Sequence, residues 1–116
     1  MLFNLMVEKS SEALDSSYAA LSHAIRRDIL ARLARGPARV TGLAAPYPMS
    51  LAAVSKHIHL LEAAHLVERT VQGRDHVIAA RPQGLDAAGE WITVYRSFWE
   101  SRLDALDSVL RERAPS

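Results

Sequence analysis

The segment from residue 38 to residue 80 constrains the fold most, because two helical patterns and two β-prone runs follow one another there with only short turns between them. A short helix is predicted at Val40–Ala45, and Pro46 and Pro48 end it. The next helix begins after Ser50, whose hydroxyl makes a good N-cap, and stops near Ala64. The turn between the two helices is therefore only a few residues long.

The apolar residues of the longer helix define its inward face. Val54, Ile58 and Leu61 recur at i, i+4 and i+7, so the polar residues between them point outward. Two β-prone runs, 66–71 and 76–80, follow, and Gly73 between them permits the positive φ of a tight hairpin. This order is typical of a winged helix-turn-helix, with the two helices at 38–64 and the hairpin, or wing, at 66–80.

Helical patterns also precede this segment. One helix is predicted at 10–21, capped by Ser10 or Ser11, and a second at 22–35, which Gly36 and Pro37 end. The predicted inward residues are Ala13, Leu14, Tyr18 and Leu21 in the first helix and Ile25, Ile29, Leu30 and Leu33 in the second.

A long helical pattern closes the chain, from residue 82 to about residue 113. Its broad apolar face carries Trp91, Ile92, Tyr95, Phe98, Trp99, Leu103, Leu106 and Leu110. An apolar composition of 49% suffices for a core in a chain of this length. We therefore predict one domain over residues 1–116, mostly α-helical with a small β-hairpin wing.

The charge is distributed unevenly along the chain. Residues 22–81 hold nine Lys and Arg against four acidic residues, together with all five histidines, whereas the segments on either side are net acidic. A basic centre between acidic ends is what a nucleic-acid reader with separate association helices would show, although ordinary domains can have similar imbalances.

Other functional classes find little support in the residues. The chain has no cysteine, and it lacks a nucleophile elbow, a phosphate-cradling glycine loop and a His-Glu-x-x-His motif. His57 and His59 point about 200° apart on a helix and cannot chelate one metal ion. The apolar opening MLFNLMV is too short for a membrane span or a signal-peptide core. We expect no catalysis, no cofactor, no bound metal and no membrane association, and a cytoplasmic location.

Two stretches carry a resemblance to a known family. ALSHAIRRDILARLARGP and then VTGLAAPYPMSLAAVSKHIHLLEAAHLVERTVQGRDHVI resemble the ArsR/SmtB family of bacterial repressors over about residues 18–80. The tail WITVYRSFWESRLDALDSVL looks like the terminal helix of the cysteine-free branch of that family. The resemblance implies a transcriptional regulator, a repressor that binds palindromic duplex DNA as a homodimer. A winged-helix module that binds another protein and no DNA is the alternative.

The sequence departs from the family pattern in three places. His23-Ala24 replaces the usual Asp-Pro, so the start of that helix is less sharply defined. His65 replaces a glycine after the longer helix and can adopt the left-handed conformation there at some cost. The ligands of the metal-sensing members are absent. We therefore do not expect a metal to be the effector, and the effector itself stays open.

The outward face of the longer helix supplies the candidate DNA contacts. Small alanines let the helix approach the groove floor, and polar side chains offer hydrogen bonds to bases or phosphates. The candidates are Ser50, Ala52, Ser55, Lys56, His57 and His59. A solvated helix face is the alternative. His57 sits between the two faces, so a phosphate contact and a structural hydrogen bond are equally compatible with its position.

Arginines elsewhere are further candidates. Arg74 at the hairpin tip is expected to reach a phosphate or a minor groove, with Arg69 and His76 on the strands as weaker candidates. One phosphate contact is expected from the pair Arg26 and Arg27, although a salt bridge, for example with Asp28, is the alternative for either.

The first and last helices are predicted to form a dimer interface. Their apolar faces are wider than the core of one domain requires, although they could cover that core or line an aromatic ligand pocket. The candidate interface residues are Leu14, Tyr18, Trp91, Tyr95, Phe98, Trp99, Leu103 and Leu106.

Overall fold

The computed structural model describes residues 11–113. The capping role suggested for Ser10 and the apolar opening of the chain lie outside the described residues. The elements in chain order are α1 (Ser11–Leu21), α2 (Ala24–Leu33), β1 (Ala38–Arg39), α3 (Val40–Ala44), α4 (Leu51–Ala63), β2 (Val67–Gln72), β3 (Asp75–Ala80), a 3₁₀ turn (Pro82–Leu85) and α5 (Asp86–Arg113). The fold is a mostly helical winged helix-turn-helix, as the sequence predicts.

The core lies where α2, α3 and α4 meet the small sheet. Val54, Ile58 and Leu61 are fully buried, which confirms the predicted inward face of α4. They pack with other buried side chains, chiefly Ala20, Ile29, Leu33, Leu43, Ala64, Leu66, Val67 and Ile78. Burying one such aliphatic side chain contributes about 1.5–3 kcal/mol, so this cluster fixes how α4 sits on the domain.

The sheet has three antiparallel strands in the order β1-β3-β2. The predicted hairpin is confirmed: Val67 pairs with Ala80 and Gln72 pairs with Asp75, while Gly73 in the turn has a φ of 65°. In addition, β1 places Ala38 beside Ile78 and Arg39 beside Val77. Sequence analysis missed β1 because two residues are too few to show an alternating pattern.

The ends of α2 and α4 follow their capping chemistry. His23 caps α2, its Nδ1 accepting from the Ile25 N–H at 3.1 Å, so α2 begins at Ala24 and not at the predicted residue 22. Ser50 caps α4 as predicted and accepts from the Ala53 N–H at 3.1 Å. The left-handed conformation expected of His65 is confirmed by a φ of 59°. There the Leu66 N–H donates to the Leu61 carbonyl and the His65 N–H to the Glu62 carbonyl, a Schellman motif.

The buried face of α1 differs from the predicted one. Leu14 is buried as expected, but the other buried residues are Ser17 and Ala20. Ala13 and Tyr18 are exposed, so their inward assignments were wrong. The Ser17 hydroxyl donates to the Gly84 carbonyl at 3.2 Å, which satisfies this buried polar group. A serine is not read as apolar, and periodicity therefore could not place it inside.

The long helix α5 packs on the domain only near its beginning. Ala88 is buried and Trp91 is half-buried, and this part of the helix contacts α1. Every residue from Trp99 to Arg113 is exposed. None of the helices between residues 11 and 113 has the length and apolarity needed to cross a membrane.

Candidate nucleic-acid interface

The outward side of α4 is exposed, and the core fixes its direction. With Val54, Ile58 and Leu61 inside, Ala52, Lys56 and His59 lie exposed. Ser55 is half-buried, and it lies beside the wing. Three of these four side chains carry hydrogen-bonding groups, and the short Ala52 leaves the beginning of the helix accessible to a groove.

A groove runs between α4 and the wing, which comprises β2, β3 and their turn. Its walls come from the β1–α3 corner, α4 and the wing, and they include Arg39, Thr41, Ser55, Arg74 and His76. Arg74 lies exposed at the hairpin turn, as the sequence predicts. Basic side chains from two elements therefore line the groove beside α4.

Arg39 is a basic residue of this groove that sequence reasoning missed. Its guanidinium pairs with Asp75 at 3.4 Å, and both side chains are half exposed or more, at 66% and 50%. Such exposed pairs contribute at most about 1 kcal/mol and exchange readily for other partners. The pairing of β1 with β3 brings Arg39 here, and no pattern in the sequence indicates that pairing.

Arg26 has a different place from the one expected. It is 8% exposed, and its guanidinium donates to the Ala20 carbonyl at 2.8 Å, the Ala19 carbonyl at 2.8 Å and the Nδ1 of His57 at 3.0 Å. These bonds hold the guanidinium inside the domain, so we withdraw Arg26 as a phosphate contact. The alternative salt bridge with Asp28 is not seen for Arg26, whose guanidinium is bound to these other acceptors, while the Asp28 carboxylate accepts from the Tyr47 hydroxyl.

His57 is the partner of Arg26 on α4. Because a guanidinium only donates, the Nδ1 of His57 must be the acceptor and its proton must lie on Nε2. Burial lowers the pKa of His57, and the neighbouring charges of His23, Arg26 and Lys56 act in the same direction. The His23 ring lies 4.5 Å from the His57 ring, centroid to centroid. Of the two roles left open, the structure therefore favours the structural hydrogen bond.

Arg27 stays available at the surface. It is exposed, and one guanidinium nitrogen donates to the Leu21 carbonyl at 2.7 Å. That bond uses one donor of five, so the remainder can still contact a phosphate.

Arg69 is engaged within the protein. It forms two hydrogen bonds with the Glu62 carboxylate, at 2.7 and 3.2 Å, and a third with the Nδ1 of His76 at 3.0 Å. The two weaker wing candidates, Arg69 and His76, are thus bonded to each other. Arg74 stays exposed at the hairpin turn.

The candidate dimer residues form a continuous stripe. The Tyr18 ring of α1 contacts the Trp91 ring edge-on, with 6.4 Å between ring centroids. Tyr95 stacks on Trp91 with 5.0 Å between centroids. Trp99 follows at 6.2 Å from Tyr95, with Phe98 beside it. Farther along, Leu103 and Leu106 are 59% and 54% exposed. Leu14 alone of the candidates is buried, so it belongs to the core of its own domain.

Comparisons with known proteins agree with this architecture. The model of a family described as a helix-turn-helix domain matches residues 21–70. The HTH-type transcriptional regulator Rv2034 of Mycobacterium tuberculosis is 41% identical over 73 residues, which are 63% of this chain and 68% of that protein.

Solved structures are similar over most of their length. The crystal structure of an ArsR family transcriptional regulator matches with a TM-score of 0.74 and 38% identity, over 78% of this chain and 93% of that one. An ArsR-like transcriptional regulator from Rhodococcus sp. RHA1 matches with a TM-score of 0.73 and 31% identity, over 86% of this chain and 94% of that one. A third match is a homodimeric winged helix-turn-helix DNA-binding domain from Mycobacterium bovis, described as a possible ArsR-family transcriptional regulator. Its TM-score is 0.56 at 25% identity, over 80% of this chain and 87% of that one.

Proposed function

Because this chain belongs to the ArsR family of transcriptional regulators, we propose that it represses transcription by binding a palindromic DNA operator as a homodimer. The observation that carries the proposal is the exposed side of α4, held outward by its buried face, beside a groove lined with the basic residues of the wing and of β1. This is the arrangement of a recognition helix with a flanking backbone contact.

The residues divide by chemistry into two kinds of contact. Lys56, Arg74 and Arg27 carry exposed positive charges suited to phosphates, which position a protein on the duplex without reading sequence. Ser55 and His59 can hydrogen-bond to base edges in the major groove, and Ala52 is small enough to contact a thymine methyl.

The stripe on α1 and α5 supports the proposed homodimer. A row of half-exposed aromatic and leucine side chains at the surface marks an association site, and a second copy offers the same row. To read successive major grooves, the two α4 helices of such a dimer must lie about 34 Å apart. The related domain from Mycobacterium bovis is described as homodimeric, which supports the proposal.

The ionic-strength dependence of DNA affinity tests the proposed function. Anisotropy titrations of a labelled mixed-sequence duplex at several salt concentrations should give a log affinity that falls with log salt, with a slope of about −0.9 for each phosphate neutralised. A protein-interaction module is the competing function. It predicts no binding to the duplex, or a weak affinity that changes little with salt, and either result would remove DNA binding from the account.

A further inference from the structure

Glu62, Arg69 and His76 join three elements at the base of the groove. Glu62 lies on α4, Arg69 on β2 and His76 on β3. The Arg69 guanidinium holds both oxygens of the Glu62 carboxylate, at 2.7 and 3.2 Å, while its remaining terminal nitrogen lies 3.0 Å from the Nδ1 of His76. One side chain therefore bonds simultaneously to the recognition helix and to the opposite strand of the wing.

The pair is better fixed than the other ion pairs of the described residues 11–113. The side chains of Arg69 and Glu62 are only 20% and 26% exposed, whereas each of the other pairs has at least one side chain that is more than half exposed. Those pairs are Arg39–Asp75, His59–Glu62, Arg96–Glu100 and Arg111–Asp107. A bidentate guanidinium–carboxylate pair constrains angle as well as distance. The Arg69 hydrogen bonds lower the pKa of Glu62, so the carboxylate is charged near neutral pH.

The ion pair lies at a position along the wing where a small change in angle would move the wing tip. Val67 at the base of the hairpin is buried, and so is Ile78, which pairs with Arg69, but Val71 near the tip is 57% exposed. Arg69 therefore lies at the level where the wing leaves the core. Gln72 is about 10 Å beyond Arg69 at 3.4 Å per residue, so a tilt of about 10° at Arg69 would move the tip by about 2 Å. A hydrogen bond to a phosphate does not survive a displacement of that size.

We propose that Glu62 and Arg69 are positioning residues for DNA binding, whose ion pair holds the wing at the angle at which Arg74 and α4 reach the same duplex. The inference rests on the proposed function. It adds that Glu62 and Arg69 set the angle between the wing and α4 without contacting DNA themselves. His76 completes the arrangement by holding the third nitrogen of Arg69.

A double-mutant cycle between Glu62→Gln and Arg74→Ala tests this coupling. We expect Arg74→Ala to weaken binding of a fixed duplex about fivefold in the wild-type background and less than twofold in the Glu62→Gln background, because the displaced wing has already lost its contact. Removing a negative charge near DNA should by itself tighten binding, so a weaker complex for Glu62→Gln has the sign opposite to the charge effect.

Two further variants separate positioning from charge and stability. Glu100→Gln removes the same charge from an exposed pair on α5 and should leave the contribution of Arg74 unchanged. Arg69→Lys keeps the charge of Arg69 but loses the two-pronged bond, and it should reproduce the loss of coupling. Thermal unfolding of each variant identifies the temperature range in which all are folded, and titrations are made within it.

Pulsed electron paramagnetic resonance measures the wing angle without DNA. Because the chain has no cysteine, Ala31→Cys on α2 and Gln72→Cys at the wing tip give two unique label sites, and dilution with unlabelled chain isolates distances within one copy. The distance distribution should be narrow in the wild-type background and broader with Glu62→Gln. Equal distance distributions would overturn the inference, and so would an Arg74→Ala effect on DNA affinity that is the same in both backgrounds. Salt-dependent DNA binding by the wild type would leave the proposed function intact in either case.

Discussion

Lys56 and His59 lie on the same exposed side of α4, yet their chemistry predicts different effects of substitution. A lysine presents a point charge suited to phosphate, so Lys56→Ala should weaken binding to cognate and scrambled duplexes alike and reduce the salt slope by about one per half-site. An imidazole can read a base edge, so His59→Ala should cost about 1–3 kcal/mol on the cognate site and little on scrambled DNA.

Titration of both variants against the two duplexes at two salt concentrations distinguishes these effects. An exchange of roles would reassign the two residues but keep α4 in the groove. Wild-type affinity for both variants on both duplexes would show that this side of α4 does not contact DNA.

The pH dependence of stability should report the bond between His57 and Arg26. The folded-state pKa of His57 is lowered, chiefly by burial, so the neutral ring stabilises the protein above about pH 6.5, the ordinary histidine value. As the pH falls from there through the lower folded-state pKa, the unfolded chain takes up the proton first and that stability is lost.

His57→Gln is the matched variant, because an amide oxygen can accept from Arg26 and does not titrate. Between about pH 7.5 and about pH 5.5 the Tm of the wild type should fall more than that of the variant, since the other four histidines are present in both. Parallel Tm curves would mean that the His57 bond contributes nothing that protonation can remove.

Gly84 is required for close packing against the end of α4. A Cβ built on Gly84 would lie 2.1 Å from the His65 carbonyl oxygen and 2.5 Å from its carbon, both backbone atoms of the Schellman motif. Gly84→Ala should therefore lower the free energy of unfolding by about 2–4 kcal/mol, an overpacking effect.

Gly89 is the control for this substitution. A Cβ there meets no atom within 4 Å, and the position is inside α5, so Gly89→Ala should be neutral or stabilise by up to about 1 kcal/mol. Chemical denaturation of both variants checks the contrast, and equal destabilisation would show that crowding at His65 is not the cause.

Among the elements, sequence periodicity predicted the five helices and the hairpin that residues 11–113 contain. It failed where the deciding contact is distant in sequence. The face of α4 was right because Val54, Ile58 and Leu61 repeat at helical spacing. The face of α1 was partly wrong because Ser17 is buried only through its bond to Gly84, 67 residues away. The two-residue β1 has no pattern of its own.

The candidate site was predictable to the same extent. Exposure of Lys56, His59 and Arg74 follows from local pattern, and the structure places all three at the surface. Arg26 and Arg69 look like free basic residues in the sequence, but tertiary contacts bring them to buried carbonyls and to Glu62. Arg39 joins the groove through strand pairing alone.

The apolar stripe of α5 should control assembly. Leu103→Glu would place a charge within the proposed interface, so the variant should be monomeric at micromolar concentration and bind DNA more weakly, because the two half-sites lose their link. Ser101→Glu, about 200° away around the helix, is the control and should stay dimeric. Sedimentation measures both, and a dimeric Leu103→Glu variant would place the interface elsewhere.

At the scale of the whole molecule, charge and apolar surface are segregated. The basic segment 22–81 contains α4, the wing and Arg39, whereas the net acidic last helix carries the stripe. A DNA backbone would repel the acidic last helix and attract the basic segment, so this division favours an approach with the basic segment toward the DNA. Two copies joined through the stripe would each contribute one basic face, made by α4 and the wing, to the assembly.

Selection of bound sequences from a random duplex pool reports DNA reading by α4 and dimerisation in one experiment. We expect enrichment of a two-fold symmetric motif whose half-sites are about 10 base pairs apart, centre to centre. Failure to enrich any motif, with no retention of duplex at low salt, would contradict the assignment of α4 as a recognition helix.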